Sequence, residues 1–147
     1  MSFEAQLLNK HILIVDDDTA LSESIKEVLV SRGFKNISRA YSISEGIDVF
    51  SVSHIDLIIL DVMLPDGEGY LLSQYVRKIS DIPILFLTAK NNPDDEIRGL
   101  DSGGDDYVTK PFLPKSLTYR IIALLRRAYK DESELIELTD CIIDLNN

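Results

Sequence analysis

The chain has 147 residues, 45% of them apolar, with seven glycines and five prolines, a make-up that suits a single globular domain with a buried core. A net charge of −10, from 15 basic and 25 acidic residues, works against binding a polyanion, so this chain alone is not expected to hold DNA. No stretch approaches the ~20 apolar residues of a membrane span. The N-terminus "MSFEAQLLNK" lacks the pattern of a secretion signal, and the lone cysteine, Cys141, excludes an internal disulfide or a thiolate metal cluster, so the expected setting is cytoplasmic.

Short apolar runs alternate with helical patterns, as in βα units wound into a parallel sheet. "HILIVD" predicts a first strand buried on both faces. In "TALSESIKEVLVSRGF", Leu21, Ile25, Val28 and Leu29 share one face of a helix that Asp18 or Thr19 caps and Gly33 ends. "NISRAY" predicts the second strand, and "SISEGIDVF" a helix with Ser42 and Glu45 in capping-box spacing. "DLIILD" (56–61) is the third strand, followed by the turn "MLPDG" and a helix through Tyr70, Leu71, Leu72, Tyr75 and Val76. "PILFLT" (83–88) is the fourth strand, after which Asn92 and Pro93 open a helix. "DYVTK" (106–110) is the fifth strand. The last helix begins near Pro114 and carries Leu117, Ile121, Ile122, Leu124 and Leu125.

In a parallel sheet with right-handed crossovers, all strands deliver their C-terminal ends to one edge, where open α/β sheets bind ligands. The residues expected there are Asp16 and Asp17, Asp61, Thr88 and Lys110. Carboxylates crowded in a partly desolvated cleft raise one another's pKa values unless a cation joins them. All-oxygen ligands without histidine or cysteine favour a hard ion, and few protein ligands with room for water and phosphate suit Mg²⁺. Asp61 can then attack phosphorus as a carboxylate nucleophile, while the metal, Lys110 and Thr88 neutralise the equatorial oxygens.

The motifs "ILIVDDD", "LIILDVMLPDG", "FLTA" and "DDYVTKPF" occur in an order and at separations that resemble the receiver domain of bacterial two-component response regulators, most closely those of the winged-helix (OmpR/PhoB-type) transcription regulators. The resemblance implies a doubly wound, flavodoxin-like α/β fold: a five-stranded parallel sheet of order 2-1-3-4-5 flanked by five helices. It implies that Asp61 is the phospho-acceptor, Asp17 a direct metal ligand and Asp16 a ligand acting through water. Met63 would lend its backbone carbonyl to the metal, Thr88 and Tyr107 would form the switch pair, and Lys110 would hold the phosphate ahead of a cis bond to Pro111. The implied partners are a sensor histidine kinase and a second copy of the chain, a homodimer formed on phosphorylation. The dimer face would include Asp105, Asp106 and Arg120, with Asp106 of one copy meeting Arg120 of the other. Glu96 and Ser116 depart from the subfamily's basic and acidic residues, which removes one pair and predicts a weak dimer. Such a chain is not an enzyme beyond slow self-phosphorylation and self-dephosphorylation. Two other readings stand beside it: a receiver that acts alone by docking to proteins, and a Mg²⁺-dependent aspartyl-phosphate phosphohydrolase. Enzymes of the latter kind carry a second Asp two residues after the first, where this chain has Met63.

By the same reading residues 1–9 are an N-terminal extension, 10–128 the receiver, and 129–147 an acidic linker. In its closing run, residues 130–147, Asp131, Glu132, Glu134, Glu137, Asp140 and Asp144 face a single basic residue, Lys130. The apolar residues Ile136, Leu138, Ile142, Ile143 and Leu145 resemble the first strand of a winged-helix DNA-binding domain cut short; the other reading of this stretch is a disordered acidic tail. DNA binding is therefore expected only through a domain missing from this chain, and no membrane is involved.

Overall fold

The computed structural model describes residues 2–132. In chain order the elements are α1 (Phe3–Leu7), β1 (His11–Val15), α2 (Thr19–Arg32), β2 (Asn36–Ala40), α3 (Ile43–Val52), β3 (Leu57–Leu60), β4 (Met63–Leu64), β5 (Gly67–Glu68), α4 (Tyr70–Arg77), β6 (Ile84–Thr88), α5 (Pro93–Asp101), β7 (Asp106–Thr109) and α6 (Pro114–Ala128). Five strands form one parallel sheet in the order β2-β1-β3-β6-β7, which is the expected 2-1-3-4-5 order.

Successive strand residues point to opposite faces, so a sheet covered on both sides needs continuous apolar strands. Ile12, Ile14, Leu57, Ile59, Leu85 and Leu87 pack one face against Ile25 and Leu29 of α2 and Leu117, Ile121, Leu124 and Leu125 of α6. Leu13, Val15, Ile58, Leu60, Ile84 and Phe86 pack the other against Ile43 of α3 and Tyr70, Leu72 and Val76 of α4. The caps fall where the sequence places them. Asp18 accepts from the Leu21 N–H at 3.0 Å, Ser42 from Glu45 and Asn92 from Asp95. Gly33 closes α2 at φ +115°, a conformation that L side chains disfavour.

Two features depart from the expected outline. The N-terminal extension forms α1, capped by Ser2 through the Ala5 N–H and docked by Leu7, which is 2% exposed. Five residues are too few to hold a helix in water, so burial of Leu7, worth about 2 kcal/mol, supplies what local propensity cannot. The stretch read as a turn after the third strand is a two-stranded hairpin, β4 with β5, in which Met63 faces Glu68. At the other end Tyr129 and Glu132 remain against the base of the sheet: the Tyr129 hydroxyl donates to the Asp56 carbonyl at 2.8 Å, and Lys10 holds Glu132 at 2.7 Å. The apolar residues expected to begin a further domain, Ile136 to Leu145, lie outside the described residues.

Candidate functional site

Main-chain bonds carry the ladders one residue past the strand ends. The Asp16 N–H donates to Ala40 at 3.1 Å, the Asp61 N–H to Val15 at 2.9 Å and the Lys110 N–H to Thr88 at 2.8 Å. The three side chains therefore leave from the sheet itself, which keeps their separations rigid. Lys110 is joined to Pro111 by a cis peptide bond. Behind Asp61 the chain doubles back so closely that a Cβ on Gly69 would stand 2.2 Å from the Asp61 carbonyl oxygen, a distance only glycine permits.

The Lys110 ammonium bridges two acids, donating to Asp16 Oδ2 at 2.8 Å and to Asp61 Oδ2 at 2.9 Å. Asp16 Oδ1 accepts from the Asp18 N–H at 2.9 Å, and Asp61 Oδ1 from the Met63 N–H at 3.1 Å. Both carboxylates are buried, while Asp17 beside them is exposed. Burial pushes the Asp16 carboxyl above its ordinary value, against the pull of Lys110 and the Asp18 N–H. Burial also works against the Lys110 charge, but its bonds to Asp16 and Asp61 outweigh it and hold the ammonium above its ordinary value. The repulsion among the acids is thus offset in part by the protein's own cation. Oxygen atoms of Asp16, Asp17 and Asp61 lie within 4.8 Å of one another. Three carboxylates against one ammonium leave two negative charges unbalanced, and a donor set of oxygens alone fits a hard divalent cation.

Thr88 is fully buried at the end of β6, and its hydroxyl accepts from the Lys90 N–H at 3.3 Å. Tyr107 lies inward, 9% exposed, with its ring 5.9 Å from that of Phe86 and its hydroxyl donating to the Lys90 carbonyl at 2.8 Å. The two expected switch residues therefore grip the two sides of one backbone unit, Lys90, which no motif had marked. Desolvation raises the Tyr107 hydroxyl well above its usual pKa, so it acts as a neutral donor.

The residues expected on a dimer face have partners within the chain. Arg120 meets both Asp106 oxygens at 3.0 Å, and this pair is partly exposed. Asp105 instead holds the Arg77 guanidinium at 2.7 Å and the Ile84 N–H at 2.8 Å, a tie between α4 and the start of β6. Sequence reasoning also missed the hairpin after Asp61, although Pro65-Asp66-Gly67 between Leu64 and Glu68 is a turn signal for one.

A doubly wound five-stranded parallel sheet that gathers these side chains at the C-terminal ends of its strands defines a CheY-like receiver. Residues 12–122 match the response regulator receiver domain family, and the chain belongs to that family. It is 44% identical over 124 residues to the transcriptional regulatory protein YvrH of Bacillus subtilis (strain 168), covering 84% of this chain and 52% of that one. It is 38% identical over 138 residues to the DNA-binding response regulator MtrA of Mycolicibacterium smegmatis, covering 94% and 60%. Among solved structures, a two-component response regulator from Clostridium difficile superposes with a TM-score of 0.78 at 34% identity, over 81% of this chain and 98% of that one. The chain thus spans half to three-fifths of the length of these curated relatives. Among the described residues no helix is long and apolar enough to cross a membrane.

Proposed function

We propose that this chain is the phospho-acceptor module of a DNA-binding transcription regulator, charged on Asp61 by a sensor histidine kinase in the cytoplasm. The observation that carries the reading is the Lys110 ammonium 2.9 Å from Asp61 Oδ2 and 2.8 Å from Asp16 Oδ2, a cation positioned beside the nucleophile. An Asp61 carboxylate oxygen attacks phosphorus; an O–P bond forms as the bond from phosphorus to the kinase's imidazole nitrogen breaks, and the imidazole keeps the electron pair and takes a proton. Lys110 offsets charge on the phosphoryl oxygens, and the Thr88 hydroxyl donates to one of them. Asp16, Asp17, Asp61 and the Met63 carbonyl would hold Mg²⁺, which when bound supplies further neutralisation of phosphoryl charge.

The names of the relatives support a transcriptional output, delivered through a region beyond the length this chain shares with them. On that reading phosphorylated copies pair across α5, β7 and α6, with Asp106 and Arg120 exchanging their bond within the chain for one between chains. Incubation with Mg²⁺ and a small acyl phosphate, followed by intact-mass measurement, tests the reading. The mass is expected to rise by one phosphoryl group, and Asp61→Asn to abolish the gain; an Asp61→Asn protein that labels normally overturns it. Sedimentation tests the pairing: labelling is expected to shift the parent toward a salt-sensitive dimer and to leave Arg120→Ala monomeric.

A further inference from the structure

We infer that Arg98 is a positioning residue that couples α5 to the Asp61 carboxylate through the β4–β5 hairpin. The inference deepens the proposed function and rests on it for its physiological meaning.

The route is a chain of bonded groups. The Met63 N–H donates to Asp61 Oδ1 at 3.1 Å, so the first residue of the hairpin reads the nucleophile directly. Met63 pairs across the hairpin with Glu68. The two Glu68 oxygens hold the Arg98 guanidinium of α5 at 2.9 and 3.2 Å, a two-pronged geometry that fixes direction as well as distance. The same guanidinium lies 4.6 Å from the centre of the Tyr70 ring, and the Tyr70 hydroxyl donates to the Asp95 carbonyl of α5 at 3.3 Å. A hairpin of two-residue strands moves as a unit, so a shift at Met63 must reach Glu68.

The chemistry at Asp61 provides the shift. A carboxylate shares a full negative charge over two oxygens and is a strong acceptor. Once one oxygen is esterified by phosphate, the remaining carbonyl oxygen is a weaker acceptor, and the Met63 N–H is held less firmly. The other end of the route suits transmission rather than rigidity. Arg98 and Glu68 are about half exposed, and pairs of that kind are worth little enough to be repositioned. Charge and cation–π contact together make Arg98 replaceable in part by lysine, which keeps the charge and loses the fork.

Hydrogen exchange of the α5 amides, read in a mutant cycle on the full chain, tests the coupling. Asp61→Ala removes the acceptor of the Met63 N–H without any phosphoryl group, and is expected to raise exchange across α5 about threefold to fivefold, the size an exposed charge pair can carry. In an Arg98→Met background, which keeps the aliphatic stem, that response is expected to fall by at least half. Arg98→Lys is expected to restore part of it, and Glu68→Gln to behave as Arg98→Met does. A residue that merely stabilised α5 would raise exchange in every background and leave the response to Asp61→Ala unchanged. An equal response to Asp61→Ala in the parent and in Arg98→Met overturns the inference. Mass labelling of the parent decides the phospho-acceptor reading separately, since the cycle needs no phosphorylation.

Discussion

The strand β3 is flanked by two buried aspartates, Asp56 before it and Asp61 after it, and they show how surroundings divide one residue type between two tasks. Asp56 accepts from the His11 N–H at 2.8 Å and from the Tyr129 hydroxyl at 3.3 Å, with the exposed His54 ring 3.0 Å away. Lys10 stacks 4.1 Å from the Tyr129 ring, closing the base of the sheet over it. Asp61 accepts from the Met63 N–H, shares the Lys110 ammonium with Asp16 and borders the exposed Asp17. A carboxylate satisfied by backbone and hydroxyl donors ties elements together. One that shares a cation with other acids can change partners, as the proposed phosphorylation of Asp61 requires.

The sharpest way to break this comparison is to remove each acid in turn. Asp56→Ala is expected to cost about 2 kcal/mol in chemical denaturation, because it strands the His11 N–H, while the Tyr129 hydroxyl keeps its bond to the main-chain carbonyl of residue 56. Asp61→Asn is expected to cost less than about 1 kcal/mol while abolishing phosphoryl uptake, since it relieves like-charge repulsion as it loses an ion pair. Equal losses at the two positions would erase the distinction. On the functional side, Asp17→Asn is expected to weaken Mg²⁺ binding about tenfold in a calorimetric titration and to leave the circular dichroism spectrum unchanged. On the structural side, Tyr129→Phe is expected to lower stability by about 1 kcal/mol with no change in labelling of Asp61.

The smallest effect concerns the tip of the hairpin. Asp66 accepts from the Ile43 N–H at 2.9 Å and the Ser44 N–H at 3.0 Å, and these bonds to the first turn of α3 hold its carboxyl below the ordinary value of 3.8. A carboxyl lowered by folding stabilises the native state in full above its unfolded pKa and loses that contribution as the pH falls through the folded one. The stability gap between the parent and Asp66→Ala is therefore expected to be constant from neutral pH down to about pH 5 and to close below 3.8. Denaturation midpoints across that range check it, and a gap that persisted in strong acid would show that charge is not its source.

The alternation of strands and helices, the covering of both sheet faces and the placing of Asp16, Asp17, Asp61, Thr88 and Lys110 at one sheet edge were legible in the residues alone, whereas the strand order was implied by the family resemblance. Alternation of apolar strands with capped helices admits few other topologies, and a parallel sheet sends every strand end to one edge. Tertiary structure alone decided which groups bond there. Lys110 is separated in sequence from Asp16 and Asp61 by 94 and 49 positions, and its bridging of the two depends on ladder register, which local pattern does not carry. Lys90 as the shared partner of Thr88 and Tyr107, Asp105 turned toward Arg77, and Arg98 fastened to Glu68 arise in the same way, from side chains that meet across separate elements. The helix α1 is the plainest case: five residues have too little periodicity to announce a helix, and only the core that receives Leu7 makes them one.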